Sequence, residues 1–164
     1  MSARRLWPAV AAALGLGSAA LAASPPSPDR IAADIQVQGA EAVVQRLFKH
    51  GDYDRVLGRI DSGASDWVAL APKLAPGTDA GTAEALPIAL AFALPKNPAA
   101  VLAVLDPQSE ILAPDSVCGV PFIEDTVKDI PGYIKRARAA VSKVADPGLQ
   151  AMKTACLAAL KPQP

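Results

Sequence analysis

The middle of the chain is its most apolar part. Ala85 to Leu94 carries no polar side chain, and after Pro95-Lys96-Asn97-Pro98 a second apolar run extends from Ala99 to Leu105. A helix that is apolar around its whole circumference has to be covered on every side. Ala85–Leu94 therefore predicts a central buried helix, and the run is too short to span a bilayer, which takes about 20 residues. Asn97 followed by Pro98 marks the start of the second helix, because the Asn side chain accepts an orphan amide and proline fits the first helical position. The two runs predict a helical hairpin around which the remaining elements are arranged.

Ahead of the hairpin, the apolar positions recur at helical spacing. Ile31, Ala32 and Ile35 share a face over Arg30–Gln38, although Ile35 to Gln38 also alternates as a strand would. No partner strand follows, so a short helix is expected. Val43, Val44, Leu47 and Phe48 form the stripe of an amphipathic helix over Gly39–His50, with Gly51 suited to a left-handed cap. Asp52 is expected to cap a helix lined by Tyr53, Val56, Leu57 and Ile60. Ser65 or Asp66 is expected to cap the next, in which Trp67, Val68, Ala71 and Leu74 face one way and Pro72 interrupts the pattern. Pro87 either kinks the central helix or marks its true beginning.

Beyond the hairpin, Asp106–Asp115 reads as a loop and Ser116–Ile123 as irregular chain. Glu124–Ile130 and Ile134–Val144 read as helical, broken or kinked at Pro131-Gly132. A last helix opens at Asp146-Pro147 and runs to about Lys161, with Leu149, Met152, Cys156 and Leu160 on one face. The sum is an all-α chain of seven to eight short helices, in a compact irregular bundle or a short stacked-hairpin array. No fixed repeat emerges. A single α-helical domain is expected over 30–161, after a flexible Pro/Ser-rich lead-in at 23–29 and before a tail at 162–164.

The first residues change the picture of where the chain works. Arg4 and Arg5 precede an apolar stretch that closes at Ala20-Leu21-Ala22, the pattern of a signal peptide over 1–22 cut after Ala22 or Ala23. Export to a periplasm or beyond the cell is expected, with no stable membrane anchor. In that setting two cysteines, Cys118 and Cys156, read as one disulfide. Their spacing excludes a CxxC redox site, and a cysteine-rich zinc site wants four close ligands. Loss of the leader removes two arginines and no acid, leaving 14 bases against 16 acids. That balance argues against a nucleic-acid partner, which needs clustered positive charge.

Candidate chemistry is sparse. His50 is the single histidine, at an expected helix end where it interacts favourably with the dipole. Neither a nucleophile elbow nor a phosphate-binding glycine loop is present. Asp52, Asp54, Asp61 and Asp66 are close in sequence but lack the calcium-loop pattern and read as caps and solvated acids. No metal site and no cofactor is expected. Lys135, Arg136, Arg138 and Lys143 form the one basic cluster, and Tyr133 beside it is the aromatic best suited to an interface. Trp67 reads as core, since the chain is only 4% aromatic. The expectation is an exported, non-catalytic protein-binding module, such as an inhibitor, immunity-like or accessory protein of a bacterial envelope. Tyr133, Lys135, Arg136, Arg138 and Lys143 are its candidate partner contacts. Two alternatives accompany it: a carrier of a small apolar ligand or lipid between the Ala-rich helices, and a carboxylate hydrolase using Asp52, Asp54 or Asp61.

Overall fold

The computed structural model describes residues 27–161 except 125, so the expected signal peptide, the residues of the lead-in before Ser27 and the tail at 162–164 lie outside the described residues. Among the described residues every regular element is helical. The α-helices are α1 (Pro28–Gln38), α2 (Ala40–Lys49), α3 (Tyr53–Asp61), α4 (Ser65–Val68), α5 (Ala71–Leu74), α6 (Ala85–Ala93), α7 (Pro98–Val104), α8 (Pro114–Cys118), α9 (Ile130–Ser142) and α10 (Gln150–Ala159). Single 3-10 turns follow α5 at Ala75–Gly77 and precede α10 at Pro147–Leu149. None of these helices is long and apolar enough to cross a membrane.

Local chemistry accounts for most boundaries. The Asn97 side chain accepts from the Ala100 amide at 3.2 Å with Pro98 just inside α7, and its amide donates back to Gly63 O at 2.9 Å. One side chain thus starts α7 and ties it to the turn after α3. Gly51 takes the expected left-handed conformation, φ 71°. Pro87 stands in the first turn of α6 and marks its beginning, where a missing amide costs nothing.

As the pattern implies, the helix around Pro72 is interrupted: it is divided into α4 and α5, with Pro72 in the first turn of the second piece. Three expectations are corrected. Helix α1 begins inside the expected lead-in, because the Ser27 hydroxyl accepts from Arg30 N at 3.4 Å and Pro28 opens the helix. Pro114 starts a short helix, α8, where irregular chain was expected. Pro131-Gly132 does not break a helix but opens α9: Asp129 accepts from Gly132 N at 2.9 Å, and the described part of Glu124–Asp129 consists of turns and bends.

A continuous apolar core joins all the α-helices. Helix α6 is at its centre and packs against α3, α8 and α7. Helices α1 and α2 close one end, with α2 resting on the Ala75–Gly77 turn. Helices α8, α9 and α10 close the other, where the disulfide Cys118–Cys156 joins α8 to α10.

Candidate functional site

Helix α6 is not covered on every side. Leu86, Leu90, Ala91 and Ala93 are buried, whereas Ala85, Ile88 and Phe92 are only half-buried. These three stand at i, i+3 and i+7, one stripe of the helix. On either side of Ile88 an open trough runs along α6. The smaller, about 210 Å³, is banked by Leu57, Gly58 and Asp61 of α3. The larger, about 430 Å³, is banked by Ser116 of α8 and by Val120, Pro121, Phe122 and Ile123, with Glu84 at its rim. Ile88 is common to both, so the surface is a ridge between two furrows.

The outer wall of the larger furrow is irregular chain held by rings. Phe122 lies between Phe92 of α6 and Tyr133 of α9, with both ring centroids 4.7 Å away and the Tyr133 contact edge-on. The Tyr133 hydroxyl donates to Ala91 O at 2.9 Å. That bond pins α9 to α6, and burial pushes the phenol up from its usual pKa. Tyr133 is therefore a core residue, 3% exposed, and the expectation that it contacts a partner is corrected. An aromatic ring with a satisfied hydroxyl is a good core residue, and the pattern around Tyr133 gave no sign that Ala91 O would be waiting for it.

Two positions on the furrow banks break local rules. Val120 has φ 63°, the one positive φ outside glycine among the described residues. It follows the C-cap of α8 at Gly119, a place where the left-handed conformation normally selects glycine and a β-branched residue is strained. Gly58 sits inside α3, where glycine is a poor helix former, yet a Cβ there would meet nothing within 4 Å.

The other singled-out side chains do different work. Arg138 Nη1 donates to Leu157 O at 2.7 Å and Leu160 O at 2.6 Å, finishing the carbonyl end of α10. Lys135, Arg136 and Lys143 are exposed, and Arg136 pairs with Asp129 at 3.7 Å. The basic cluster is thus partly a helix clasp. Asp52 occupies the N-cap position of α3, as expected, but its carboxylate pairs with Arg55 and accepts from no cap amide, and Asp61 pairs with Lys96 of the hairpin turn. Asp66 accepts from the Trp67 amide, one residue on, while Ala64 occupies the cap position of α4. Trp67 packs against the core. His50 is the exposed C-cap of α2. Among the described residues no group of three His, Cys, Asp or Glu side chains could hold a metal ion.

A separate polar network folds the loop into α6. Asp79 accepts from the Thr82 hydroxyl at 3.0 Å, from Gln45 Nε2 at 2.6 Å and from the Gly81 amide at 3.0 Å. These bonds, the Thr82 hydroxyl first, hold its carboxyl below the usual carboxylate range. Tyr53 donates to Thr82 O at 3.3 Å. Burial, and then the Asp79 carboxylate, push the Tyr53 phenol up to about 12.

The class the geometry defines is an all-α, disulfide-bonded domain with a furrowed apolar flank. Compared with models of protein families, with curated proteins and with solved structures, the chain matches none.

Proposed function

We propose that the chain is an exported helical binding module that seats an apolar segment of a partner protein along the α6 flank. The observation that carries the reading is where the locally unfavourable residues stand. Gly58 and Val120, the helix-weakening glycine and the strained β-branched residue, both lie on furrow banks. Departures from local consistency concentrate at functional sites. A ridge with a furrow on each side suits the apolar stripe of a docking helix, whose anchors enter adjacent grooves. The disulfide supports export, since such bonds persist in oxidising compartments.

The volume of the larger furrow favours a second reading, a small apolar ligand, because ligand pockets span about 300–1,000 Å³. Its open form argues the other way: carriers enclose most of their ligand's surface, and both troughs are more open than enclosed. The test is site-specific photo-crosslinking in the native host, with the crosslinker at Ile123 on the furrow wall or at exposed Ala139 on α9. A discrete protein adduct from Ile123, absent from Ala139 and lost with Ile88→Asp, is expected. A small-molecule adduct would transfer the reading to a carrier, and a furrow that captures nothing would remove it.

A further inference from the structure

The larger furrow carries a charge pattern as well as an apolar lining. Pro87, Ile88, Val120 and Phe122 line it, with Ile123 on the wall 63% exposed. Glu84 is exposed at its rim. Asp115 and Glu124 are exposed too, each the chain neighbour of a lining residue, Ser116 and Ile123. None of the three acids is in an ion pair among the described residues, whose pairs are Arg46–Asp34, Arg55–Asp52, Lys96–Asp61 and Arg136–Asp129. No basic side chain lines the furrow. The smaller furrow differs, since its one acid, Asp61, is already neutralised by Lys96.

Resting on the partner-protein reading above, we infer that the occupant of the larger furrow is a cationic amphipathic segment. A bulky apolar side chain seats between Ile88 and Phe122, and flanking Lys or Arg residues face Glu84, Asp115 and Glu124. Each pair is exposed and worth little alone. Their joint effect is on orientation and choice of partner, because an acidic segment would meet three unpaired carboxylates. The exposed basic residues of α9 do not supply this occupant in a second copy, because the apolar side of that helix, Tyr133, Ile134, Ala137 and Val141, is buried in its own core.

The experiment is selection of a random peptide library on the disulfide-bonded protein, followed by affinity measurement against two variants. These are Ile88→Asp, which spoils the apolar lining, and the double variant Glu84→Lys/Glu124→Lys, which reverses the exposed acid at the rim and the exposed acid next to Ile123. Enriched peptides are expected to carry an aromatic or aliphatic anchor flanked by Lys or Arg. The double rim variant should bind them about tenfold more weakly, the size expected of two exposed charge pairs, and the difference should shrink in high salt. Enriched peptides with neutral or acidic flanks, lost with Ile88→Asp, would overturn the charge inference and leave the furrow reading standing. So would basic peptides indifferent to the rim variant. Peptides that bind Ile88→Asp undiminished, or no enrichment at all, would overturn both.

Discussion

At the scale of single residues, Tyr133, Val120 and Asp79 each make a separable contribution. Tyr133→Phe keeps the edge contact with Phe122 and removes one buried hydrogen bond to Ala91 O. Urea unfolding should show a loss of about 1 kcal/mol, the usual net worth of such a bond. Val120→Gly relieves a left-handed β-branched residue, worth roughly 1–2 kcal/mol, while adding some freedom to the unfolded chain. The same titration should show stability unchanged or raised by up to about 1 kcal/mol. Asp79 has its folded pKa held below the unfolded value. Its contribution is therefore fully present above the unfolded value, near pH 4, and is lost as pH falls through the folded one. The melting-temperature gap between the protein and Asp79→Ala should be constant around neutrality and close on acidification below about pH 4. A gap that widened in acid would contradict the network. Of these three roles, none was legible beforehand. Each depends on a partner distant in sequence (Ala91, Gln45) or on a backbone angle, and hydrophobic periodicity carries neither.

At the scale of elements, legibility was better where a boundary is set by its own neighbours. Asn97-Pro98 and Gly51 were readable because cap, proline and left-handed glycine act within a turn. Glu124–Ile130 was not, because its apolar residues are spaced as a helix would need but Asp129 captures Gly132 N and starts the helix at Ile130. The central helix was placed correctly, yet its coverage was overestimated. Apolar character all round does not record how many sides of the helix its own neighbours cover. Two glycines test the packing. A Cβ at Gly77 would stand 2.2 Å from the backbone of Ala40, so Gly77→Ala must push α2 off its turn. It should lower stability by about 1–3 kcal/mol, as overpacking does. Gly58→Ala meets open space and should raise stability by about 0.5–1 kcal/mol through helix propensity. Thermal melts of the pair should move in opposite directions.

At the scale of the whole molecule, the core spans every helix, and the crosslink between α8 and α10 closes the half that carries the furrow wall. Opening a loop of 38 residues should cost roughly 4 kcal/mol in the chain-entropy view. The double variant Cys118→Ser/Cys156→Ser should unfold at correspondingly lower denaturant, and a midpoint shared with the oxidised protein would refute this. All-α architecture and the cysteine pairing were legible because helical periodicity and a lone cysteine pair each leave one simple reading. The furrow was not, since it is made by what fails to pack.

Cys118 lies two residues before Val120, so the same crosslink moors the wall of the furrow to α10. On the proposal above, an exported chain gains that mooring only where its two thiols can be oxidised, so docking at the furrow waits on that step.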